Sequence, residues 1–178
     1  SDDIKRTAKT YQASFVDYED FDELCAGVAE RILRGLVVGW FQGRMEYGPR
    51  ALGNRSILAN PCLPDIQKKL NLKIKYREEF RPFAPAVLEE DVAEYFDLDR
   101  PSPYMLLVAG LKEHRRRPQP ENERQMTLYE RLYHMRSDLP AVTHIDYSAR
   151  IQSVSKRTNE RFWKLIKAYK QKSGWGLL

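Results

Sequence analysis

Two stretches of the chain have the apolar spacing of an amphipathic helix. In residues 20–35 the apolar side chains recur every three or four positions, which predicts a helix with one buried face. Asp20 and Glu23 form an acidic variant of the capping box at its start, and Gly35 is placed to end it. A second helix is predicted over residues 159–174. Its inward-facing residues are Phe162, Ile166 and Tyr169.

Shorter apolar runs predict strands. Residues 36–41, "LVVGWF", and residues 104–111, "YMLLVAGL", each predict a buried strand. Residues 56–61 predict a further short strand, and residues 141–154 predict strand–turn–strand. Shorter helices are expected over 64–70, 89–98 and 128–135, with a solvated loop over 112–125. The pattern as a whole predicts the α/β class (α+β mixed), with a mixed sheet and flanking helices.

The composition fits one globular domain. The 178 residues are 42% hydrophobic and 31% charged, and no apolar run approaches the roughly 20 residues of a membrane span. The polar start of the chain does not have the pattern of a signal peptide. The two cysteines form neither a disulfide framework nor a zinc motif, so a reduced, cytoplasmic protein is expected. Cys25 lies on an apolar helical stripe, and Cys62 lies in a predicted turn.

Positive charge is concentrated in one segment. Residues 44–81 contain nine Lys or Arg residues and four acidic residues, and nine minus four equals the net charge of +5 of the whole chain. The remaining residues therefore sum to zero. A local excess of this kind favours an anionic partner over a general solubility coat.

The first part of this segment, "GRMEYGPRALGNRS" (43–56), carries three arginines on a glycine-rich loop. Arginine binds phosphate or carboxylate bidentately, and glycine lets backbone N–H groups approach an anion. The loop is neither a Walker A nor a G-x-G-x-x-G sequence. Taken alone, three loop arginines are more often surface charges than a binding site.

The second part, residues 73–88, alternates in character until it meets two prolines that exclude a central strand. If residues 75–81 are extended, Lys75, Arg77 and Arg81 share one face. The aromatic and proline neighbours of Arg81 suit either a preorganised anion site or simple packing of the arginine stem. A solvated strand face remains the alternative for all three residues.

Further along, "THIDYSAR" places three polar residues on one side of the predicted strand–turn–strand. They are His144, Asp146 and Ser148. We discount a catalytic triad because triad partners are normally distant in sequence and no nucleophile elbow is present. Asp146 with Ser148 is equally explained as turn chemistry, whereas Arg150 is the better anion ligand. The histidines have no metal-ligand spacing, so no transition-metal site is predicted.

Three motifs together resemble the C-terminal domain of O-carbamoyltransferases, a family that includes nodulation-factor and cephamycin- and tobramycin-type enzymes. They are "GRMEYGPRALGNRSILANP", "KYREEFRPFAPAVL" and "THIDYSARIQSV". The resemblance runs from about residue 18 to the end, which implies a lead-in over 1–17 and a YrdC-like α/β domain over 18–178. It also implies a piece of a longer enzyme, because members continue beyond the final "GWGLL" with a segment that lines the nucleotide site. Tyr147 stands where the family pattern has glycine, and Cys62 stands where arginine is common.

The resemblance implies an activity as well. Such domains make carbamoyl adenylate from carbamoyl phosphate and ATP, and an N-terminal actin/Hsp70-like part with histidine-bound iron passes the carbamoyl group to a hydroxyl acceptor. The implied catalytic residues are Arg50, Lys75 and Arg81. The implied nucleotide-binding residues are Arg50, Asn54, Arg55, Lys75, Arg81, His144, Ser148 and Arg150. Mg²⁺ is expected to accompany ATP, held mainly by phosphate oxygens and water.

Two other classes of function remain open. A pI near 9 permits RNA binding, although no RNA motif is present, so no nucleic acid is expected. The basic segment is also compatible with a docking surface for a partner domain and no catalysis of its own. No membrane partner is expected.

Overall fold

The structure, a computed structural model, describes residues 2–122 and 125–178. The helices are α1 (Asp2–Thr10), α2 (Phe21–Leu33), α3 (Ile66–Leu70), α4 (Val92–Tyr95), α5 (Leu128–Tyr133) and α6 (Glu160–Ser173). The strands are β1 (Val38–Phe41), β2 (Arg55–Leu58), β3 (Ala86–Leu88), β4 (Leu107–Gly110) and β5 (Ser148–Val154). A π-helical turn (Asn71–Lys75) continues α3, and 3₁₀ turns lie at Glu89–Asp91 and Glu113–Arg115. The prediction of a mixed α/β fold is confirmed.

The described strands form two sheets. β1 and β2 pair antiparallel, and the basic loop of residues 42–54 joins them. The second sheet has the order β3–β5–β4, with β3 parallel and β4 antiparallel to β5. Its register places Ala86 opposite Gln152 and Val108 opposite Arg150. Arg150 and Gln152 therefore project from the same face of β5.

β5 divides the apolar interior into two clusters. Val154, with Ala86 and Leu88 of β3, packs against α2 and α6 on the face that also carries Arg150. On the opposite face, Ala149 and Ile151 pack with residues of α3 and α4. Because successive side chains alternate across a strand, one strand serves both clusters.

The two long helices follow the sequence prediction closely. Asp20 caps α2 by accepting from the Asp22 N–H, so the expected bond to Glu23 is replaced by one a residue earlier. Gly35 has a φ of 80°, and its N–H and that of Leu36 close a Schellman motif onto the last turn. α6 buries the three predicted residues and ends at Gly174, whose φ is 81°.

The predicted burial of two strands is wrong. Phe41 is 74% exposed, because β1 pairs only with β2 and turns one face outwards. β4 is the edge of its sheet, where Val108 is 58% exposed, and Leu106 just before the strand is 71% exposed. Each strand is covered by the interior on one face only, so an apolar run still leaves side chains exposed on the other face. The predicted loop 112–125 contains the turn Glu113–Arg115, and its residues 123 and 124 lie outside the described residues.

Two predicted extended segments are also absent. Lys75 ends a helical turn and Tyr76 is left-handed with a φ of 49°, so Lys75, Arg77 and Arg81 do not share a strand face. The "THIDY" segment forms a tight turn, in which the His144 N–H bonds to the Ser148 carbonyl. His144 and Ser148 therefore face each other across a turn.

The side chain of Asp146 closes this turn by accepting from both the N–H and the hydroxyl of Ser148, at 3.0 and 2.7 Å. The interpretation as turn chemistry is confirmed. Tyr147 adopts the left-handed conformation, with a φ of 61°, that the glycine of the family pattern adopts without strain. Its hydroxyl donates to the Arg117 carbonyl at 3.0 Å, which holds the turn against the neighbouring loop.

Gly53 fixes the basic loop against α6. It is buried with a φ of 100°, and a Cβ at this position would lie 2.2 Å from a ring carbon of Phe162. Gln152 donates to the Leu52 carbonyl at 2.8 Å and ties the same part of the loop to β5. The loop therefore ends on a rigid support made by a helix and a strand.

We expect Gly53→Ala to lower the free energy of unfolding by about 3 kcal/mol or more, because the substitution combines a clash with backbone strain. Gly43→Ala is the matched control. Gly43 also has a positive φ, but nothing lies within 4 Å of a Cβ built there, so the strain alone should cost about 1 kcal/mol. Urea denaturation measures both, and equal losses would contradict the close approach to Phe162.

Candidate anion-binding site

Three segments that are distant in sequence meet at one cavity of about 300 Å³. The end of the basic loop, the turn after α3 and one face of β5 form its walls. The cationic residues that line it are Arg50, Lys75, Arg77 and Arg150. The apolar residues of the lining include Leu58, Ile66, Leu70, Phe83 and Phe162. The cavity therefore combines a strong local positive charge with an apolar floor.

Arg150 is the most desolvated of these cations. Its side chain is half-buried, and its Nε is buried without a hydrogen-bond partner. Burial lowers the pKa of the Arg150 guanidinium from its ordinary value, and the positive charge of Arg50 lowers it further. Arg50 and Arg150 thus lie close enough to repel each other.

None of the four cavity cations forms a close ion pair among the described residues, although the charge of Arg77 also acts on the neighbouring Glu78 carboxylate. Across residues 2–122 and 125–178, no carboxylate oxygen lies within 4.0 Å of a charged nitrogen of the four cavity cations. Other basic residues of the chain do form such pairs, for example Lys170 with Asp91 at 2.7 Å. A cluster of unpaired cations in a partly desolvated cavity is an anion-binding arrangement.

The last N–H groups of the basic loop and the first of β2 are already bonded within the loop and to its neighbours. One carboxylate oxygen of Glu46 accepts from the N–H groups of Leu52, Asn54 and Arg55, at 2.7, 2.9 and 3.3 Å. The Gly53 N–H donates to the Ser56 hydroxyl at 2.9 Å. These four N–H groups are therefore not free to bind an external anion, and Arg50 is the cation that the loop places at the cavity.

Glu46 remains ionised as a consequence. Burial alone raises the pKa of its carboxyl, but the backbone hydrogen bonds outweigh burial and hold the pKa below the ordinary value of 4.5. The carboxylate acts as an internal anion that shapes the loop.

Asn54 and Arg55, which the resemblance assigns to nucleotide binding, support the loop in this structure. The Arg55 guanidinium lies 3.4 Å from the ring centroid of Phe41 and donates to the carbonyls of Gln42, Gly43 and Asn54. The Asn54 side chain accepts from Gln42 at 3.1 Å, and Gln42 also donates to the N-cap residue of α6, Asn159, at 2.7 Å. Neither residue lines the cavity.

Three further predicted residues lie outside the cavity. Arg81 is exposed, and its Nε pairs with Glu78 at 2.9 Å. His144 borders a second, largely apolar cavity of about 370 Å³, and Ser148 is held by the turn at the start of β5. Of the residues implied by the resemblance, the structure therefore brings together Arg50, Lys75 and Arg150.

The sequence analysis missed several residues that build the site. Arg77 was seen only as part of a strand face, although it lines the cavity, and Gln152 is a buried polar residue two positions after Arg150 on the same face. Asn71 is completely buried at the start of the turn after α3. A polar residue inside an apolar pattern, as at positions 71 and 152, is the signal that marks such supporting residues.

The other sequence-level candidates behave as ordinary interior residues. Burial raises the pKa of the Cys25 thiol to about 11 and that of the Cys62 thiol to about 12, so both stay neutral. Within the described residues, no three His, Cys, Asp or Glu side chains are grouped so that they could hold a metal ion. No helix in this part of the chain is both long and apolar enough to cross a membrane.

We expect Glu46→Gln to lower the free energy of unfolding near neutral pH by about 1–2 kcal/mol, because three N–H donors lose a charged acceptor. The folded pKa of Glu46 is depressed, so this contribution is complete above the ordinary pKa of 4.5 and is lost as the pH falls through the folded pKa. Urea denaturation from about pH 7 to about pH 3 measures the difference. Glu113→Gln, at an exposed position, is the control, and a wild-type advantage that persists unchanged in acid would contradict the cap.

The chain is similar to known proteins over most of its length. The family model described as "Carbamoyltransferase C-terminus" matches residues 29–178. A Synechocystis protein named "Uncharacterized protein sll1178" is 51% identical over 91% of this chain and 26% of its own length. The nodulation protein NolO of Bradyrhizobium diazoefficiens is 37% identical over 92% of this chain and 27% of its own length.

A relative with a printed activity is the 3'-hydroxymethylcephem-O-carbamoyltransferase of Amycolatopsis lactamdurans, which is 38% identical over 89% of this chain and 25% of its own length. The chain therefore spans about a quarter of the length of these relatives. The match to the family model covers most of the chain and includes all four cavity cations. The chain belongs to the carbamoyltransferase C-terminal family.

Proposed function

We propose that this chain is the carbamoyl-adenylate-forming part of an O-carbamoyltransferase and that its cavity binds ATP and carbamoyl phosphate. The observation that carries the proposal is the group of four cations without a carboxylate partner in one cavity. Both substrates carry several negative charges, and four cations suit a polyphosphate better than a single carboxylate. The apolar floor offers a surface for the uncharged part of a nucleotide.

The proposed reaction balances with one water. Carbamoyl phosphate, ATP and water give carbamoyl adenylate, pyrophosphate and phosphate. An oxygen–phosphorus bond forms between the carbamate and the α-phosphate of ATP, and the bond from that phosphorus to pyrophosphate breaks. The phosphoryl group of carbamoyl phosphate leaves by hydrolysis.

The chain's own contribution is charge neutralisation and positioning. Arg50 and Arg150 approach the cavity from two walls and Lys75 from a third, so anionic oxygens between them meet donors from several sides. The negative charge that moves to the departing pyrophosphate is stabilised by cations already in place. Mg²⁺ would arrive with ATP and supply further charge neutralisation on the phosphate oxygens.

Arg81 takes part in this proposal only after a rotation of its side chain. Its ion pair with Glu78 is exposed and three residues apart in sequence, and pairs of this type contribute little to stability. Release towards a bound phosphate would therefore cost little. We keep Arg81 as a proposed ligand and assign it no role in the unliganded cavity.

The remainder of the function involves other polypeptide. The carbamoyl group would pass to an N-terminal actin/Hsp70-like part, where a hydroxyl acceptor receives it. The printed name of the Amycolatopsis lactamdurans relative describes such a transfer to a hydroxymethyl group. RNA binding is less well supported, because the four cations line a cavity and do not form an extended surface.

We expect Arg50→Gln and Arg150→Gln each to weaken the binding of Mg-ATP by roughly 10- to 100-fold, the range for the loss of a charged hydrogen bond. Titration calorimetry with and without carbamoyl phosphate measures the affinity. Arg34→Gln is the matched control, since it removes the same charge from an exposed helix end and should change the affinity less than about twofold.

Two outcomes would overturn the proposal. The first is that the folded chain binds neither Mg-ATP nor carbamoyl phosphate and that extension past residue 178 does not restore binding. The second is an equal loss in Arg34→Gln, which would mean that only net charge matters. Tight RNA binding that weakens steeply with salt and shows no nucleotide competition would favour the RNA-binding alternative.

A further inference from the structure

A buried asparagine lies beneath the segment that carries the cavity cations. Asn71 is 0% exposed and is the first residue of the turn that ends at Lys75. Burial of a primary amide is costly unless its hydrogen-bonding groups are satisfied. The partners of Asn71 therefore indicate what the residue does.

All partners of the Asn71 side chain lie in the segment of residues 77–81. Its Nδ2 donates to the carbonyls of Glu79 and Arg81, at 3.0 and 2.9 Å. Its Oδ1 accepts from Nε of Arg77 at 2.7 Å, the shortest of the three bonds. The amide thus holds the backbone of the segment with one end and a guanidinium with the other.

The backbone of Asn71 also bonds to the residues that directly follow the turn. Its carbonyl accepts from the N–H groups of Tyr76 and Arg77. Tyr76 adopts a left-handed conformation although its side chain is 85% exposed and gains little from packing. A non-glycine residue in this conformation is strained, and the hydrogen bonds to Asn71 are what hold it.

The consequence is an oriented Arg77. Nε is engaged by Asn71, and the guanidinium lies 4.9 Å from the ring centroid of Phe83. Among the described residues no carboxylate oxygen lies within 4.0 Å of the two terminal nitrogens, and Arg77 lines the cavity. A guanidinium that is held at Nε and stacked on an aromatic ring has a fixed orientation, so both of its terminal N–H₂ groups point the same way.

We propose that Arg77 is a further anion-binding residue of this cavity and that Asn71 is the positioning residue that orients it. The inference deepens the proposed function and rests on it, since the anion is a phosphate group of the same ligand. Arg77 would bind two phosphate oxygens bidentately, while the Asn71 side chain hydrogen-bonds only to Arg77 and to backbone carbonyls. Neither residue belongs to the set that the family resemblance implied.

The test is a double-mutant cycle of Mg-ATP binding by titration calorimetry. We expect Arg77→Met to weaken binding roughly 10- to 100-fold and Asn71→Ala roughly 10-fold. Asn71→Ala in the Arg77→Met background should cause no further loss, because Asn71 acts through Arg77. Losses that multiply in the double variant would show a purely structural Asn71 and would overturn its positioning role.

Gln67→Ala is the matched control. Gln67 donates to the Glu79 carbonyl at 3.3 Å and so restrains the same segment, but it does not touch Arg77. We expect its affinity to stay within about twofold of wild type. A loss in Gln67→Ala as large as that in Asn71→Ala would show that general loosening of the segment explains both.

Arg77→Lys keeps the test decisive if Asn71→Ala does not fold. Lysine retains the charge but has neither the Nε group that Asn71 holds nor the planar fork. We expect Arg77→Lys to bind nearly as weakly as Arg77→Met, whereas full affinity in Arg77→Lys would reduce Arg77 to a point charge and overturn the inference.

Arg50→Gln and Arg150→Gln, measured in the same series, separate the two claims. If Arg50→Gln and Arg150→Gln lose affinity for Mg-ATP while Arg77→Met does not, only the inference about Arg77 and Asn71 is overturned. No binding by the folded wild-type chain, even when it is extended past residue 178, overturns both.

Discussion

The gathering of four cations in one cavity is the constraint that the rest of this structure has to accommodate. Burial already disfavours the charged form of Arg150, and a second guanidinium nearby adds to the cost. With no carboxylate paired to the four cavity cations in the described part of the chain, other interactions must hold the charges together. Contacts of the supporting segments do this: Gly53 packs on Phe162, and Gln152 ties the loop to β5. An anion in the cavity would relieve the repulsion that these contacts now oppose.

In the basic loop, backbone N–H groups have an anionic partner within the chain, whereas the Arg50 side chain has none among the described residues. Its N–H groups form a concave set of donors, which is the usual basis of a phosphate nest. Glu46 already fills that set and gives the loop a fixed shape. The arginine side chain beyond it is left without such a partner. Glu46 therefore binds the backbone of the loop, and Arg50 remains available to bind an external anion.

The sequence allowed prediction of those features that depend on local interactions. The helices α2 and α6 have clear periodicity and end signals, and both form where expected. The alternation of residues 73–81 was misleading, because hydrogen bonds from the buried Asn71 impose a turn that no local pattern encodes. The exposure of β4 depends on its edge position in the sheet, which is a tertiary property. Arg50, Lys75 and Arg150 were found as candidates, whereas their separation from Arg81 required the fold.

The four cavity cations also connect binding to folding. Arg150 lies on β5, which packs against an apolar cluster on each face. Lys75 and Arg77 lie just after α3, which belongs to one cluster. Arg50 lies on the loop that is anchored on α6, which belongs to the other cluster. The cavity therefore exists only when both clusters have assembled around the same strand. A ligand that requires all four cations binds the folded chain and has no comparable site in the unfolded chain, so its binding energy adds to the stability of the fold. The attraction between a bound anion and the four cations would therefore stabilise the folded domain.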